Sequence, residues 1–90
     1  MREHCILCVY KHLGQASVLM DEAKLGYPEH KWLAVGHMAE AESEALGADV
    51  KIAERIREMR VRYTGGGYIN MIHLIEEILD AEGGDSGVAP

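Results

Sequence analysis

The chain has 90 residues, 48% of them apolar, with no Phe and one Trp, which supports one globular domain with a mainly aliphatic core and excludes a disordered chain. Fifteen acidic against nine basic residues give a formal net charge of −6, which argues against broad, charge-driven nucleic-acid binding. The longest strictly apolar run, Cys5 to Tyr10, has six residues against about 20 for a membrane span.

No small-residue cleavage site follows that run, and Lys11 and His12 come next, so it does not read as a signal peptide. A cytoplasmic location is expected. In that reducing setting the two cysteines read as buried thiols, metal ligands or a redox pair rather than as a structural disulfide.

Residues 4–25 read as the first helix, because Ile6, Val9, Tyr10, Leu13, Ala16, Ser17 and Met20 recur at helical spacing. Gly26-Tyr27-Pro28 stops it: Gly suits the position just past a helix end, and Pro can open the next helix. The second helix, 29–46, has Ala34, Val35, Met38, Ala39, Ala41, Ala45 and Leu46 as its apolar face, with Trp32 covering the end of the pair. Asp49 is the expected N-cap of a third helix over 50–63, striped by Ile52, Ile56, Met59 and Tyr63. A fourth helix, 68–82, follows the break at Gly65-Gly66-Gly67, with Ile69, Ile72, Ile75 and Leu79 inward and His73 at the core or an interface. The polar, Gly-rich stretch 83–90 reads as a disordered tail, which leaves 1–82 as a single helical domain. The expected fold is all-α: a four-helix domain built on an antiparallel helical hairpin, its remaining apolar surface covered by dimerisation.

A short turn at 26–28 fixes the register of that hairpin. His12 then faces Glu40, Gln15 faces His37, and Gly14 faces Ala39 where the helices cross. The stretches His12-Leu13-Gly14-Gln15-Ala16 and His37-Met38-Ala39-Glu40-Ala41 echo each other across it. On helix 1 the row Cys5, Cys8, His12, Gln15, Leu19, Glu22 follows helical spacing, and on helix 2 so does His30, Leu33, His37, Glu40, Glu44. Glu44 falls opposite Cys8, so one groove gathers sulfur, imidazole and carboxylate donors.

Cys5-x2-Cys8-x3-His12 has metal-ligand spacing. Thiolate and imidazole together suit zinc, which takes a tetrahedral ligand set completed here by Glu44, Glu40 or a group on another subunit. The plain alternative has the two thiols as small buried hydrophobes and His12 as a polar residue paired with Glu40. A redox C-x2-C is best supported by a preceding strand, which is missing. A di-metal carboxylate bundle needs Glu-x-x-His, whereas helix 2 has His37-x-x-Glu40 and helix 1 has Gln15 in place of an acid. Glu77-x-x-Asp80 has the spacing of a magnesium pair but lacks a matching pair on helix 2, so it reads as an exposed acidic helix end.

Five of the nine basic residues, Lys51, Arg55, Arg57, Arg60 and Arg62, fall within 51–62. Glu76, Glu77, Asp80, Glu82 and Asp85 crowd 76–85, where no base occurs. The two stretches read as solvated faces, or as partners of one another within or between subunits. The arginines spread around the helix, and the triple Gly lacks the Lys-Ser/Thr of a phosphate loop, so nucleic acid is not the favoured partner.

The C-x2-C, Lys11-His12-Leu13, Gly26-Tyr27-Pro28-Glu29-His30 and the run Gly36 to Glu42 resemble a small uncharacterised helical family of bacteriophage and bacterial genomes. The resemblance covers about the first half of the chain and carries no activity and no site residues. It implies a viral or accessory interaction protein rather than a housekeeping enzyme.

The leading expectation is a small non-enzymatic binding or assembly module, homo-oligomeric and with a protein partner. A structural zinc site between helices 1 and 2 would draw on Cys5, Cys8, His12, Glu44, Glu40 and His37. The alternatives are a metal-dependent helical-bundle enzyme, an oxidoreductase or hydrolase using His37 and Glu40, and a nucleic-acid-associated accessory protein using helix 3.

Overall fold

The computed structural model describes residues 6–85, and all its regular elements are helices: α1 Ile6–Leu25, α2 His30–Leu46, α3 Val50–Thr64 and α4 Met71–Asp85. Among the described residues no strand occurs, and no helix is long and apolar enough to cross a membrane.

Each boundary has a local cause. Gly26 takes φ 127°, a left-handed value that ends α1 at no Cβ cost, and the Tyr27 amide returns to the Glu22 carbonyl. The next turn is tight, with the His30 amide donating to the Tyr27 carbonyl at 2.8 Å, and α2 starts at once. At the start of α3 the Asp49 side chain, on extended backbone, accepts from the Lys51 amide at 2.9 Å, as an N-cap should. Gly66, at φ 94°, turns the chain after α3.

The fourth helix begins later than the sequence suggests. Tyr68, Ile69 and Asn70 precede it as irregular chain, and the Asn70 carboxamide caps it by accepting from the His73 amide at 3.0 Å. Asn is a better cap than helix interior, because its side chain competes with the backbone ladder. The helix runs to Asp85, so 83–85, expected as tail, are helical, and 86–90 lie outside the described residues.

The core is assembled from one stripe per helix: Val9, Leu13, Ala16 and Met20; Ala34, Met38, Ala41 and Ala45; Ile52, Ala53, Ile56 and Met59; then Met71, Leu74 and Ile78. Three alanines, Ala34, Ala41 and Ala45, give α2 a slim inner face, and it packs against both α1 and α3, while α4 packs against α1. Ile69 enters the core from the irregular segment rather than from a helix. No polar side chain is buried among the described residues. Each fully buried large side chain such as Leu13, Met38 or Ile56 contributes about 1.5–3 kcal/mol of burial free energy.

Several expectations are corrected. Ile72 and Leu79 are 66% and 51% exposed; α4 carries two apolar stripes, and the one through Met71, Leu74 and Ile78 turns inward. Trp32 is 60% exposed and so does not cover the end of the helix pair. His73 is exposed as well, its Nε2 3.7 Å from the Glu77 carboxylate, so it is not a core residue of the single chain. A Cβ added to Gly14 would meet nothing within 4 Å, and Ala39 is exposed, so these small residues do not mark a close helix crossing.

Candidate metal centre between the first two helices

His12 on α1 reaches Glu40 on α2, with Nδ1 3.2 Å from Oε1. Further along α1, Glu22 reaches His30 near the start of α2, where Oε1 lies 2.7 Å from Nδ1. As one contact advances along α1 the other retreats along α2. Their polar rows meet on the flank of the buried stripe, because His12 lies one turn from the core residues Val9 and Ala16, and Glu22 one turn from Leu19, which packs against the core.

A third group joins the first pair. His37 Nδ1 lies 3.1 Å from His12 Nδ1 and 3.7 Å from Glu40 Oε1, and the two imidazole centroids are 5.3 Å apart. His37 and Glu40 are one helical turn apart on α2, so the triangle needs only one residue from α1. All three donor atoms fall within 4.8 Å of one another, which makes this a possible His/Glu metal-binding group. It is only partly covered: the side chains of His12, His37 and Glu40 are 22%, 31% and 63% exposed.

The edges of the triangle, 3.1, 3.2 and 3.7 Å, have a chemical meaning. A zinc ion with bonds of about 2.0–2.2 Å to nitrogen and oxygen holds neighbouring tetrahedral ligands about 3.3–3.6 Å apart. Without a metal, the single Nδ1 position of His12 has to serve both His37 and Glu40. One N–H cannot donate at full strength to two partners in different directions. A cation at the centre of the triangle would satisfy all three lone pairs together.

The other donors stand apart from this triangle. Cys8 is half-buried on α1, one turn before His12, and Glu44 is half-buried on α2, one turn after Glu40. Neither joins a group of converging donor atoms among the described residues. Cys5 lies outside the described residues. Gln15 is exposed, and His37 contacts His12, its Nδ1 3.1 Å from His12 Nδ1. The His12–His37 contact was missed by the register argument, which paired each histidine with the residue directly opposite. The echo of His-x-x-Gln and His-x-x-Glu was the available signal, since it sets both histidines on the same groove.

The opposite charges of α3 and α4 do meet within the chain. Arg55 grips Glu77 through two nitrogens, Nε to Oε1 at 2.9 Å and Nη2 to Oε2 at 3.2 Å, and also reaches Glu58 at 2.8 Å. The guanidinium holds the Glu77 carboxyl below its ordinary range, and the two carboxylates raise Arg55 further above its own. Arg60 binds Glu42 on α2 at 3.0 Å. Glu77 is thus engaged by a cation of the chain itself, which removes it from a magnesium pair with Asp80.

No match is found among protein-family models, curated proteins or solved structures.

Proposed function

We propose that this protein is a small helical binding and assembly module whose first two helices are clasped by a zinc ion held by His12, His37 and Glu40. The observation that carries the reading is the triangle of donor atoms with edges of 3.1, 3.2 and 3.7 Å, close to one face of a zinc tetrahedron. The metal would contribute fixed geometry across the α1–α2 groove. His12, from α1, and the His37-x-x-Glu40 turn of α2 would then form a single unit.

The module is read as homo-oligomeric. Ile72 and Leu79 give α4 an outward apolar stripe that the single chain leaves exposed, and Leu7 and Val18 do the same on α1. A nucleic-acid role for α3 is disfavoured by the engagement of Arg55 and Arg60 with Glu77, Glu58 and Glu42.

Elemental analysis of untagged protein purified without chelator tests the reading. About one zinc per chain is expected in the wild type, less than a tenth of that in His37→Ala, and an unchanged content in Cys8→Ser. Folded wild-type protein that carries and takes up no zinc would refute it. Zinc lost in Cys8→Ser but kept in His37→Ala would move the site to the cysteines.

A further inference from the structure

We infer that the metal at His12, His37 and Glu40 keeps one exchangeable coordination position, and that this position captures a carboxylate from outside the chain. The inference rests on the zinc reading above and adds the class of ligand that the site takes.

The first support is the ligand count. Among the described residues three donors converge, which defines one face of a tetrahedron and leaves the fourth vertex unassigned. Closed, structural zinc sites use four protein ligands, whereas sites with three protein ligands hold a replaceable water in the remaining position. Among the described residues the two donors on these rows that could close the site from within, Cys8 and Glu44, are each displaced by one helical turn from His12 and Glu40. Neither belongs to the converging group.

The second support is access. Glu40 is 63% exposed, and the histidines retain 22% and 31% of their surface, so the triangle opens to solvent.

The third support is charge. A divalent ion held by two neutral imidazoles and one carboxylate keeps one unit of positive charge, so an anion neutralises it where water does not. A carboxylate oxygen is a regular zinc ligand with a bond of about 2.0–2.2 Å. The exchange is simple: the carboxylate oxygen donates a lone pair to the metal and the water leaves. No covalent bond of the chain breaks and no electrons are transferred.

The source is either a small free carboxylate or an acidic side chain of a second copy of this chain. Capture from a second copy would make the metal a bridge, with each site completed by its neighbour.

The test uses the full chain loaded with cobalt(II), whose visible bands report its ligands, titrated with acetate. The expected result is a saturable shift of the visible bands, the same in wild type, Glu44→Gln and Cys8→Ser. Cobalt that binds but does not respond to acetate overturns the inference and leaves the metal reading standing. A response that appears only in Glu44→Gln overturns it by showing that Glu44 closes the site. An intense near-ultraviolet band lost in Cys8→Ser does so for a thiolate ligand. Failure to bind cobalt or zinc at all sinks both readings together. Sedimentation separates the sources: zinc-dependent dimers that acetate dissociates point to a second copy. A monomer that still shows the acetate shift points to a free carboxylate. Either result supports the inference.

Discussion

Zinc should stabilise the fold through His12 more than through its partners on α2, and the reason lies in chain separation. His37 and Glu40 are a single turn apart and stay near each other even in an unfolded chain. His12 is 25 residues away from His37 and is brought in only by folding. The native state therefore brings three donors to one point, where the unfolded chain keeps together only local sets, the His37/Glu40 turn and the Cys5, Cys8, His12 stretch. At free zinc of 100 times the dissociation constant, preferential binding to the native state adds at most about 2.7 kcal/mol, less a share for binding to those local sets. For a domain of this size, each kcal/mol moves the melting temperature by roughly 4–8 °C, so a rise of roughly 10–20 °C is expected on adding zinc. The His12→Ala substitution removes contacts of 3.1 and 3.2 Å from a partly exposed side chain. In metal-free protein this should cost only about 0.5–1.5 kcal/mol. Its main effect should be to erase the zinc-dependent rise. The assay is thermal unfolding followed by circular dichroism, with and without zinc, for wild type and His12→Ala. An equal rise in both proteins, or none in the wild type, would refute the reasoning.

Other consequences are open to measurement. Leu13→Ala empties a fully buried position beside His12 and should cost about 2–5 kcal/mol in urea unfolding; a loss under 1 kcal/mol would contradict the packing described for α1. Asp49→Ala removes the acceptor of the Lys51 amide and should cost about 1 kcal/mol, largely recovered by Asp49→Ser. Because Arg55 lowers the Glu77 carboxyl, the unfolded chain binds more protons than the native one across the acid range. The contribution of Glu77 is therefore present above its unfolded value and lost as pH falls through its folded value. Glu77→Gln should weaken the protein near neutrality by less than about 1 kcal/mol, as suits a pair more than a third open to solvent, and have no effect at the acid end. A loss independent of pH would show that the pairing is not its cause.

Much of the helix layout was readable because it is local. Gly26 and Asp49 mark boundaries through their own backbone chemistry, and α1, α2 and α3 each present a core stripe that helical spacing reveals. The fourth helix was less legible. Its two apolar stripes, Met71-Leu74-Ile78 and Ile72-Ile75-Leu79, are equally periodic, and periodicity alone cannot say which one faces inward. Tertiary packing settles that: Met71, Leu74 and Ile78 are buried, while Ile72 and Leu79 stay exposed. Asn70 starts the helix later than apolar content suggested, so Ile69 enters the core from irregular chain.

The candidate site divides in the same way. His12, His37 and Glu40 stand on rows that the sequence by itself places on one groove, since rows depend only on helical periodicity and a short turn. Which members of those rows converge is a matter of angstroms, set by helix separation and side-chain rotamers. Sequence spacing favoured Cys8, because C-x2-C-x3-H keeps its donors on one helix. The tertiary structure instead brings together two imidazoles and a carboxylate from facing helices. Spacing along a chain determines which side chains share a face, and only the packing of the helices decides which of them come within bonding distance of a common point.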